Sequence, residues 1–212
     1  MKSTLKTLLV LLLTATMAIN VFTVVPAKAS EKEEAYKAYY DLIEELHQGD
    51  EWSGGFDRFK LIYVDNDDIP ELLAVDTPSD GFDNNGTYQY VLYTYYNGEA
   101  VKLGNYSSGV ASAGGYRGNT MYIKKSGKIF ETYVSAGSGD GSDIVYKMQD
   151  GVMTEIAHSD FNIASEDAEW NGKAMSYTKY SKKLNKAFKM KKAKSFEELK
   201  TSSYKSMRKK LK

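Results

Sequence analysis

The chain has 212 residues, of which 28 are basic and 28 acidic, so its formal net charge is zero, and it contains no cysteine. The missing cysteine excludes disulfides, thiol nucleophiles and cysteine zinc sites. A neutral balance is untypical of a dedicated nucleic-acid-binding chain, and we expect no nucleic-acid partner. Because no disulfide can form, stability must come from packing, and one domain of this length can bury a sizeable core.

Residues 1–29 have the pattern of a secretory signal peptide. A basic start and an apolar stretch over residues 8–25 precede Ala27-Lys28-Ala29, whose small residues fit a cleavage site. We predict cleavage before Ser30 and a secreted, extracellular protein that acts at or near the bacterial surface. An uncleaved membrane anchor is the alternative, because the apolar stretch approaches the roughly 20 residues that span a bilayer.

The zero net charge hides a strong asymmetry along the chain. Residues 30–180 carry 12 Lys and Arg against 26 Asp and Glu, a balance of −14, whereas residues 181–212 carry 13 against 2, a balance of +11. We therefore predict an acidic, β-rich domain over 30–180 that includes an N-terminal helix. A basic amphipathic helical tail over 181–212 either packs on this domain or extends from it.

The first predicted element is an amphipathic helix that begins at Ser30 and ends near Gly49. Ser30 and Glu33 have the spacing of a capping box, in which each side chain accepts a hydrogen bond from the other residue's backbone amide. Apolar side chains follow at helical spacing from Tyr36 onward. We expect this apolar face to pack on a sheet.

Short runs rich in β-branched and aromatic residues, separated by turn residues, dominate residues 59–157. The turns Asn97-Gly98, Ser126-Gly127 and Asp150-Gly151 favour two-residue hairpins, because such residues tolerate positive φ. Successive hairpins make a meander, so we predict an α+β fold with an antiparallel meander of about eight strands. A propeller-like repeat is the alternative, because each turn glycine follows a tyrosine by five residues.

A second capping-box pattern runs from Ser195 to Glu198 near the C-terminus. Apolar residues follow it at roughly helical spacing up to Leu211, among many lysines. We therefore predict that a basic amphipathic helix begins at Ser195.

An acidic turn lies between the strand-like runs 59–64 and 72–75, with four carboxylates within seven residues. Charge repulsion makes such a cluster unfavourable unless water, backbone amides or a cation offset it. In a nine-position loop of the form Asp-x-Asp-x-Asp-Gly-x-x-Asp/Glu, Asp65 takes position three, Asp67 position five and Glu71 position nine. The carbonyl of Ile69 takes position seven. The turn therefore predicts a calcium ion bound by these four residues, and its alternative is a solvent-facing turn without a metal.

Two positions depart from this loop. Tyr63 stands where the first carboxylate belongs, and Asp68 replaces the glycine that eases the sharp bend. We therefore expect calcium to bind weakly or to take further oxygens from elsewhere.

The run from Leu61 to Leu72 resembles the Asp-rich D-x-D-G-D-G-x-P-E-L segment of secreted, mostly uncharacterised proteins of Gram-positive bacteria. It is also similar to calcium loops of the FG-GAP and VCBS type. Residues 93–103 and 177–184 resemble later parts of the same secreted proteins. The resemblance implies an extracellular, β-rich module with no established catalysis.

Two further features indicate partners. Tyrosines within residues 88–96 alternate between the sheet faces, so they form a face suited to a protein or carbohydrate, or else pack under the terminal helices. Lysines of the tail suit an anionic cell-wall polymer or a membrane surface, unless the tail lies against its own acidic domain. These lysines are Lys182, Lys183, Lys186, Lys189, Lys191, Lys192 and Lys194.

The sequence assigns no catalytic and no cofactor-binding residue. His47 and His158 are the only histidines, and a zinc site would need further ligands from carboxylates. We predict a secreted, non-enzymatic module for surface binding or adhesion, stabilised by a weak calcium site. The alternative is a carboxylate-dependent enzyme that acts on cell walls or carbohydrates.

Overall fold

The computed structural model of the chain describes residues 30–49, 55–76, 87–110, 115 and 117–212. The predicted signal peptide lies outside these residues. Among the described helices, none has both the length and the apolar character that crossing a membrane requires.

Three α-helices lie in the described residues: α1 (Glu31–Gln48), α2 (Tyr177–Ala187) and α3 (Tyr204–Leu211). A short 3-10 turn, Met190–Lys192, follows α2. The predicted capping box begins α1, since Ser30 Oγ accepts from the Glu33 amide at 3.3 Å and Glu33 Oε2 accepts from the Ser30 amide at 2.7 Å. This part of the sequence interpretation is confirmed.

The described residues form one antiparallel sheet of twelve strands. Its strands are β1 (Arg58–Ile62), β2 (Glu71–Asp76), β3 (Thr87–Tyr96), β4 (Glu99–Val110), β5 (Arg117–Ile123), β6 (Lys128–Val134), β7 (Asp140–Gln149), β8 (Val152–Asn162), β9 (Asp167–Trp170), β10 (Lys173–Ser176), β11 (Lys194–Ser195) and β12 (Ser202–Ser203).

Strands β1 to β10 are neighbours in chain order, which makes them a meander, while β12 pairs with β1 and β11 pairs with β5. The predicted α+β class, with an antiparallel meander and a helix toward each end, is confirmed. The strand number exceeds the predicted eight because β9 and β10 form an additional hairpin and the tail contributes two strands of two residues each.

Hairpin turns with two positive φ angles connect the meander at two of the predicted positions. Asn97 and Gly98 have φ of 52° and 92°, and Asp150 and Gly151 have φ of 51° and 71°. Asn, Asp and Gly suit these positions because they tolerate the left-handed region. The predicted two-residue turn at Ser126-Gly127 is wrong: residues 124–127 join β5 to β6, and the positive φ angles are those of Lys125 (57°) and Gly127 (70°).

The predicted helix start at Ser195 is wrong. Ser195 lies in β11, where its hydroxyl accepts from the Glu197 amide at 3.2 Å and donates to Asn119 Oδ1 at 2.7 Å, and α3 begins only at Tyr204. The local pattern fits a cap, but burial of the neighbouring Phe196 in the core decides the conformation.

Phe196 fills a gap where the sheet opens. Strand β4 pairs with β5 only at Gly109–Gly118 and Val110–Arg117. Beyond these pairs, β11 pairs with the same edge of β5, at Met121 and Tyr122. The Phe196 amide donates to the Thr120 carbonyl at 2.9 Å. Its ring contacts three aromatic rings from both sides of the gap, those of Tyr90, Tyr106 and Tyr122.

Three cores surround the sheet. Helices α1 and α3 cover one face of β1–β4, and α2 covers the strands around β6–β9. The central core joins Leu73 and Tyr90 to Ile129 and Met148, which lie on strands far apart in sheet order. The sheet is therefore strongly curved, so that one of its faces encloses a core.

A hydrogen bond from the Tyr180 hydroxyl to Asp143 Oδ2 fastens α2 to β7. Both side chains are buried. Burial raises the pKa of Asp143 to about 6. This hydrogen bond therefore holds a titratable carboxyl within the core that α2 covers.

Asp143→Asn tests this anchor through the pH dependence of stability. A carboxyl whose pKa is raised on folding contributes stability below its unfolded value near 3.8, and that contribution is lost as pH rises through about 6. We expect the free energy of unfolding of the native protein to fall over this range. The substituted amide cannot ionise yet still accepts from Tyr180, so the variant should show a smaller fall.

Urea titrations at several pH values measure the difference. Glu166→Gln, at an exposed position, serves as the control. An equal pH slope in native protein and Asp143→Asn would contradict the assignment.

Candidate functional site

Three of the predicted ligands converge in the acidic turn. Oxygens of Asp65, Asp67 and Glu71 all lie within 4.8 Å of one another. This carboxylate group could hold a metal ion, because hard cations prefer several oxygens at such spacing. We call it the carboxylate triad.

Short hydrogen-bonded turns shape the loop that carries Asp65 and Asp67. Asp65 Oδ1 accepts from the Asp67 amide at 3.1 Å, and Asp67 Oδ1 accepts from the Ile69 amide at 2.9 Å. Aspartates favour such turns because the side chain reaches a backbone amide two residues on. Ile69 thus helps to fix Asp67, while its carbonyl as a calcium ligand stays a prediction.

Glu71 supplies the buried side of the triad. It is the first residue of β2 and is fully buried. Its Oε2 accepts from the Val64 amide at 2.6 Å, but its Oε1 has no hydrogen-bond partner among the described residues. A buried carboxylate oxygen without a partner is unfavourable, so this atom points to a missing donor or cation.

The triad has unusual proton affinities. Burial raises the pKa of Glu71 to about 8, and the charge of Asp65 adds to the effect. Partial burial of the Asp67 carboxylate raises its pKa to about 6, again with a contribution from Asp65. Burial, followed by the charge of Glu71, also raises the pKa of Tyr39 on α1. A cation would reverse these shifts by favouring the ionised carboxylates.

The two departures from the calcium loop lie apart from the triad. Tyr63 meets three ammonium groups, those of Lys32, Lys124 and Lys125, at 5.6–5.8 Å from its ring centre. The Asp68 side chain is 96% exposed and pairs with Lys125 at 3.4 Å. Lysines thus offset the charge on the outer side of the turn, but the oxygens of the triad have no cationic partner among the described residues.

A cavity of about 650 Å³ adjoins the triad. Asp65 and Asp67 line it, together with further carboxylates from α1 and from the β7–β8 turn, and with aromatic residues of β3. The additional carboxylates are Glu31, Glu34 and Asp150, and the aromatic residues are Tyr95 and Tyr96. Sequence reasoning considered the tyrosines but missed the three additional carboxylates, because the fold brings them together from positions 31 to 150.

A second charged feature lies on α2 and the segment after it. Lys179, Lys182, Lys183 and Lys186 follow the i, i+3, i+4, i+7 spacing of one helix face, opposite buried Tyr180. Exposed lysines continue this surface beyond the helix, and no acidic residue occurs between 177 and 196. We call it the lysine face, consisting of Lys179, Lys182, Lys183, Lys186, Lys189, Lys191, Lys192 and Lys194.

The last helix, in contrast, packs on the acidic domain. Arg208 forms an ion pair with Glu44 of α1, and the Tyr204 hydroxyl donates to Glu44 Oε2 at 2.6 Å. The Arg208 guanidinium also lies 5.3 Å from the centre of the Tyr40 ring. The lysine face makes no salt bridge with any described carboxylate, so α3 pairs with the acidic domain while this face stays exposed.

The tyrosines of β3 are mostly internal. Tyr93 and Tyr95 are buried beneath α1 and α3, and Tyr90 is buried in the central core. Tyr88 and Tyr96 remain 37% and 39% exposed. Most of this tyrosine set therefore packs in the cores, which leaves single exposed rings rather than a continuous face on β3.

The histidines do not form a metal site with their described neighbours. His47 Nδ1 lies 3.0 Å from Asp57, and its ring stacks on Tyr204 at 3.7 Å. His158 has Glu155 at 3.6 Å from one ring nitrogen and Asp160 at 3.3 Å from the other. Acidic partners on opposite edges of one ring cannot share a single ion with it.

No family model, curated protein or solved structure matches this chain. The resemblance to Asp-rich secreted proteins therefore stays a prediction. Three features of the described residues bear on function: the triad, the cavity and the lysine face.

Glu71→Gln tests whether the buried carboxylate lowers the stability of the calcium-free protein. The amide side chain keeps an acceptor for Val64 and offers a donor to the neighbouring aspartates. We expect the calcium-free protein to gain about 1–3 kcal/mol of unfolding free energy, because no buried charge or unpaired oxygen remains. Urea unfolding in EDTA at pH 9 measures this gain. A loss of stability in that variant would contradict the description of Glu71 Oε1 as unsatisfied.

Proposed function

We propose that this protein is an exported, non-enzymatic binding module that attaches to anionic polymers of the cell surface through its lysine face. The observation that carries the proposal is the set of eight exposed lysines, unpaired with any described carboxylate, on α2 and the segment after it. The signal-peptide pattern of residues 1–29 supports export.

The lysine face is unfavourable for the isolated protein. Like charges three and four residues apart on a helix destabilise it by about 0.2–0.5 kcal/mol per pair, and α2 has no acidic residue to offset them. A polyanion removes this repulsion and releases counterions when it binds. The face is thus suited to repeated phosphate or carboxylate groups along a polymer.

Polymer binding fits this face better than membrane insertion. The apolar side chains of α2, such as Tyr180 and Leu184, point into the protein core and are buried. A helix that lies in a bilayer interface needs an apolar face of its own to bury there. The exposed surface of α2 offers charge without that apolar face.

We further propose that calcium occupies the carboxylate triad and stabilises the fold. Glu71 Oε1 without a partner, beside Asp65 and Asp67, supports a cation at this point. Calcium suits the site because it accepts irregular oxygen shells, whereas magnesium demands near-octahedral geometry. The ion would join the turn to the start of β2, because Asp65 and Asp67 lie in the turn and Glu71 is the first residue of β2.

The sugar-active enzyme is the weaker alternative. Glu71 is fully buried and does not line the cavity, so it cannot reach a glycosidic bond. Of the triad, only Asp65 and Asp67 face that space, and one oxygen of each accepts from a backbone amide. We therefore favour a binding role over hydrolysis.

Charge reversal tests the lysine face. The triple variant Lys182→Glu, Lys183→Glu, Lys186→Glu should bind long-chain polyphosphate at least about tenfold more weakly than native protein, because phosphate contacts dominate such binding. Affinity of the native protein should also fall steeply with salt. Fluorescence titration at two salt concentrations measures both effects.

A matched control lies on α3. The variant Lys205→Glu, Lys209→Glu, Lys210→Glu makes the same change in net charge at exposed positions outside the lysine face. It should retain most of the binding. Equal loss in both triple variants, or binding to anionic phospholipid vesicles without binding to polyphosphate, would overturn the proposed attachment.

Calcium should stabilise the folded protein. At a free concentration one hundred times its dissociation constant, an ion that binds only the folded state adds about 2.7 kcal/mol. We expect this gain in the native protein and its loss in Asp67→Asn and Glu71→Gln. Calorimetric titration and thermal unfolding, in calcium and in EDTA, measure it.

Asp68→Asn is the matched control for the calcium site. It removes one charge from the same turn at a side chain that lies outside the triad. This variant should keep the calcium response. The calcium site is refuted if native protein and Glu71→Gln respond equally little.

A further inference from the structure

The cavity beside the triad is large enough to hold a small ligand as well as an ion. We propose that it binds a neutral carbohydrate, whose hydroxyl groups complete the coordination shell of the calcium ion. This inference rests on the calcium site proposed above, and it adds the class of ligand that the site takes.

The triad alone does not fill a calcium shell. Calcium takes six to eight oxygens. One oxygen of each carboxylate already accepts a backbone amide: Glu71 Oε2 from Val64, Asp65 Oδ1 from Asp67, and Asp67 Oδ1 from Ile69. Three carboxylate oxygens remain free of such bonds, so further ligands must come from outside the triad.

The open side of the triad is the cavity. Glu71 lies beneath, fully buried in the sheet, whereas Asp65 and Asp67 line the cavity wall. An ion held by all three therefore lies at the floor of the cavity. The predicted Ile69 carbonyl adds one oxygen, and a molecule bound in the cavity can supply the others from its open side.

The charge of the cavity selects the class of ligand. Glu31, Glu34 and Asp150 add three carboxylates to the lining, and no described Lys, Arg or His lines it. These groups repel carboxylate, sulfate and phosphate ligands even with one calcium ion present. A neutral hydroxyl avoids this repulsion, since its oxygen can coordinate the ion while its hydrogen is donated to a carboxylate.

An aromatic wall favours a sugar ring over a smaller alcohol. The Tyr96 side chain lines the cavity and is 39% exposed. Its ring lies against Gly151, where a Cβ would come within 2.5 Å of it, so the glycine leaves room for the ring. Tyr95 lies beside it and donates its hydroxyl to Glu34 Oε2 at 3.3 Å. Flat aromatic faces with polar edges are typical of ligand pockets, and this cavity of about 650 Å³ lies in their usual size range.

Calorimetric titration of the full chain with three neutral probes tests the inference. The probes are the tetramer of N-acetylglucosamine, cellotetraose and mannotetraose, each added in calcium and in EDTA. We expect at least one to bind in calcium and to bind at least about tenfold more weakly in EDTA, because the coordinating ion is then absent. Glu71→Gln should lose both calcium and carbohydrate binding.

Tyr96→Ala tests carbohydrate binding independently of calcium binding. This variant should weaken carbohydrate binding at least about tenfold and leave calcium affinity unchanged. Tyr88→Ala, an equally exposed tyrosine on the same strand, should change neither. Asp150→Asn gives a second measure, because asparagine suits the positive φ of this turn while the variant lacks the carboxylate acceptor. It should weaken carbohydrate binding only.

The outcomes distinguish the two proposals. Calcium binding without binding of any of the three probes overturns the carbohydrate inference and leaves the calcium site intact. Absence of calcium binding overturns both. Equal carbohydrate binding in calcium and EDTA, or equal loss in Tyr96→Ala and Tyr88→Ala, overturns coordination in this cavity. Displacement of the probe by the polyamine spermidine, with no need for calcium, would identify an amine site instead and overturn the inference.

Discussion

The hydrogen bond between the Val64 amide and the buried carboxylate of Glu71 is the contact on which the rest of the structure depends. The Val64 carbonyl, on the other side of the same residue, accepts from the amides of Ser126 and Gly127 in the β5–β6 turn. Val64 therefore joins the acidic turn, the start of β2 and the distant half of the sheet. This junction links parts of the sheet that enclose the central core, and it lies beside the cavity that Asp65 and Asp67 line. Burial disfavours the ionised form of this carboxyl and raises its pKa, and a cation beside it would favour ionisation.

Local signals in the sequence were sufficient for the elements that depend on neighbours in the chain. The capping box of Ser30 and Glu33 identifies the start of α1, and glycine turns such as Asp150-Gly151 identify hairpins, because a few adjacent residues determine each conformation. The three carboxylates of the triad could be found in the same way, since they lie within seven residues of one another. The loop template also placed Tyr63 outside the ligand set.

Elements that depend on distant residues could not be read from local patterns. Ser195 has the spacing of a helix cap. Phe196, however, is buried in the gap between β4 and β5, so the segment forms a strand. The cavity combines Glu31 of α1 with Asp150 of the β7–β8 turn, and no spacing in the sequence relates them. Tertiary burial overrides local preference in the first case and creates a new site in the second.

The position of β11 between β4 and β5 also affects how the protein reaches its folded state. The bond from Ser195 to Asn119 joins residues 76 apart in sequence, and that from Tyr204 to Glu44 joins residues 160 apart. Closing such long loops early in folding is entropically costly, which slows proteins rich in non-local contacts. Until the last residues arrive, Tyr90, Tyr106 and Tyr122 lack the ring that covers them. A chain still emerging from a ribosome or a translocation channel would therefore stay incompletely folded, with an aromatic gap in its sheet, until Phe196 is free.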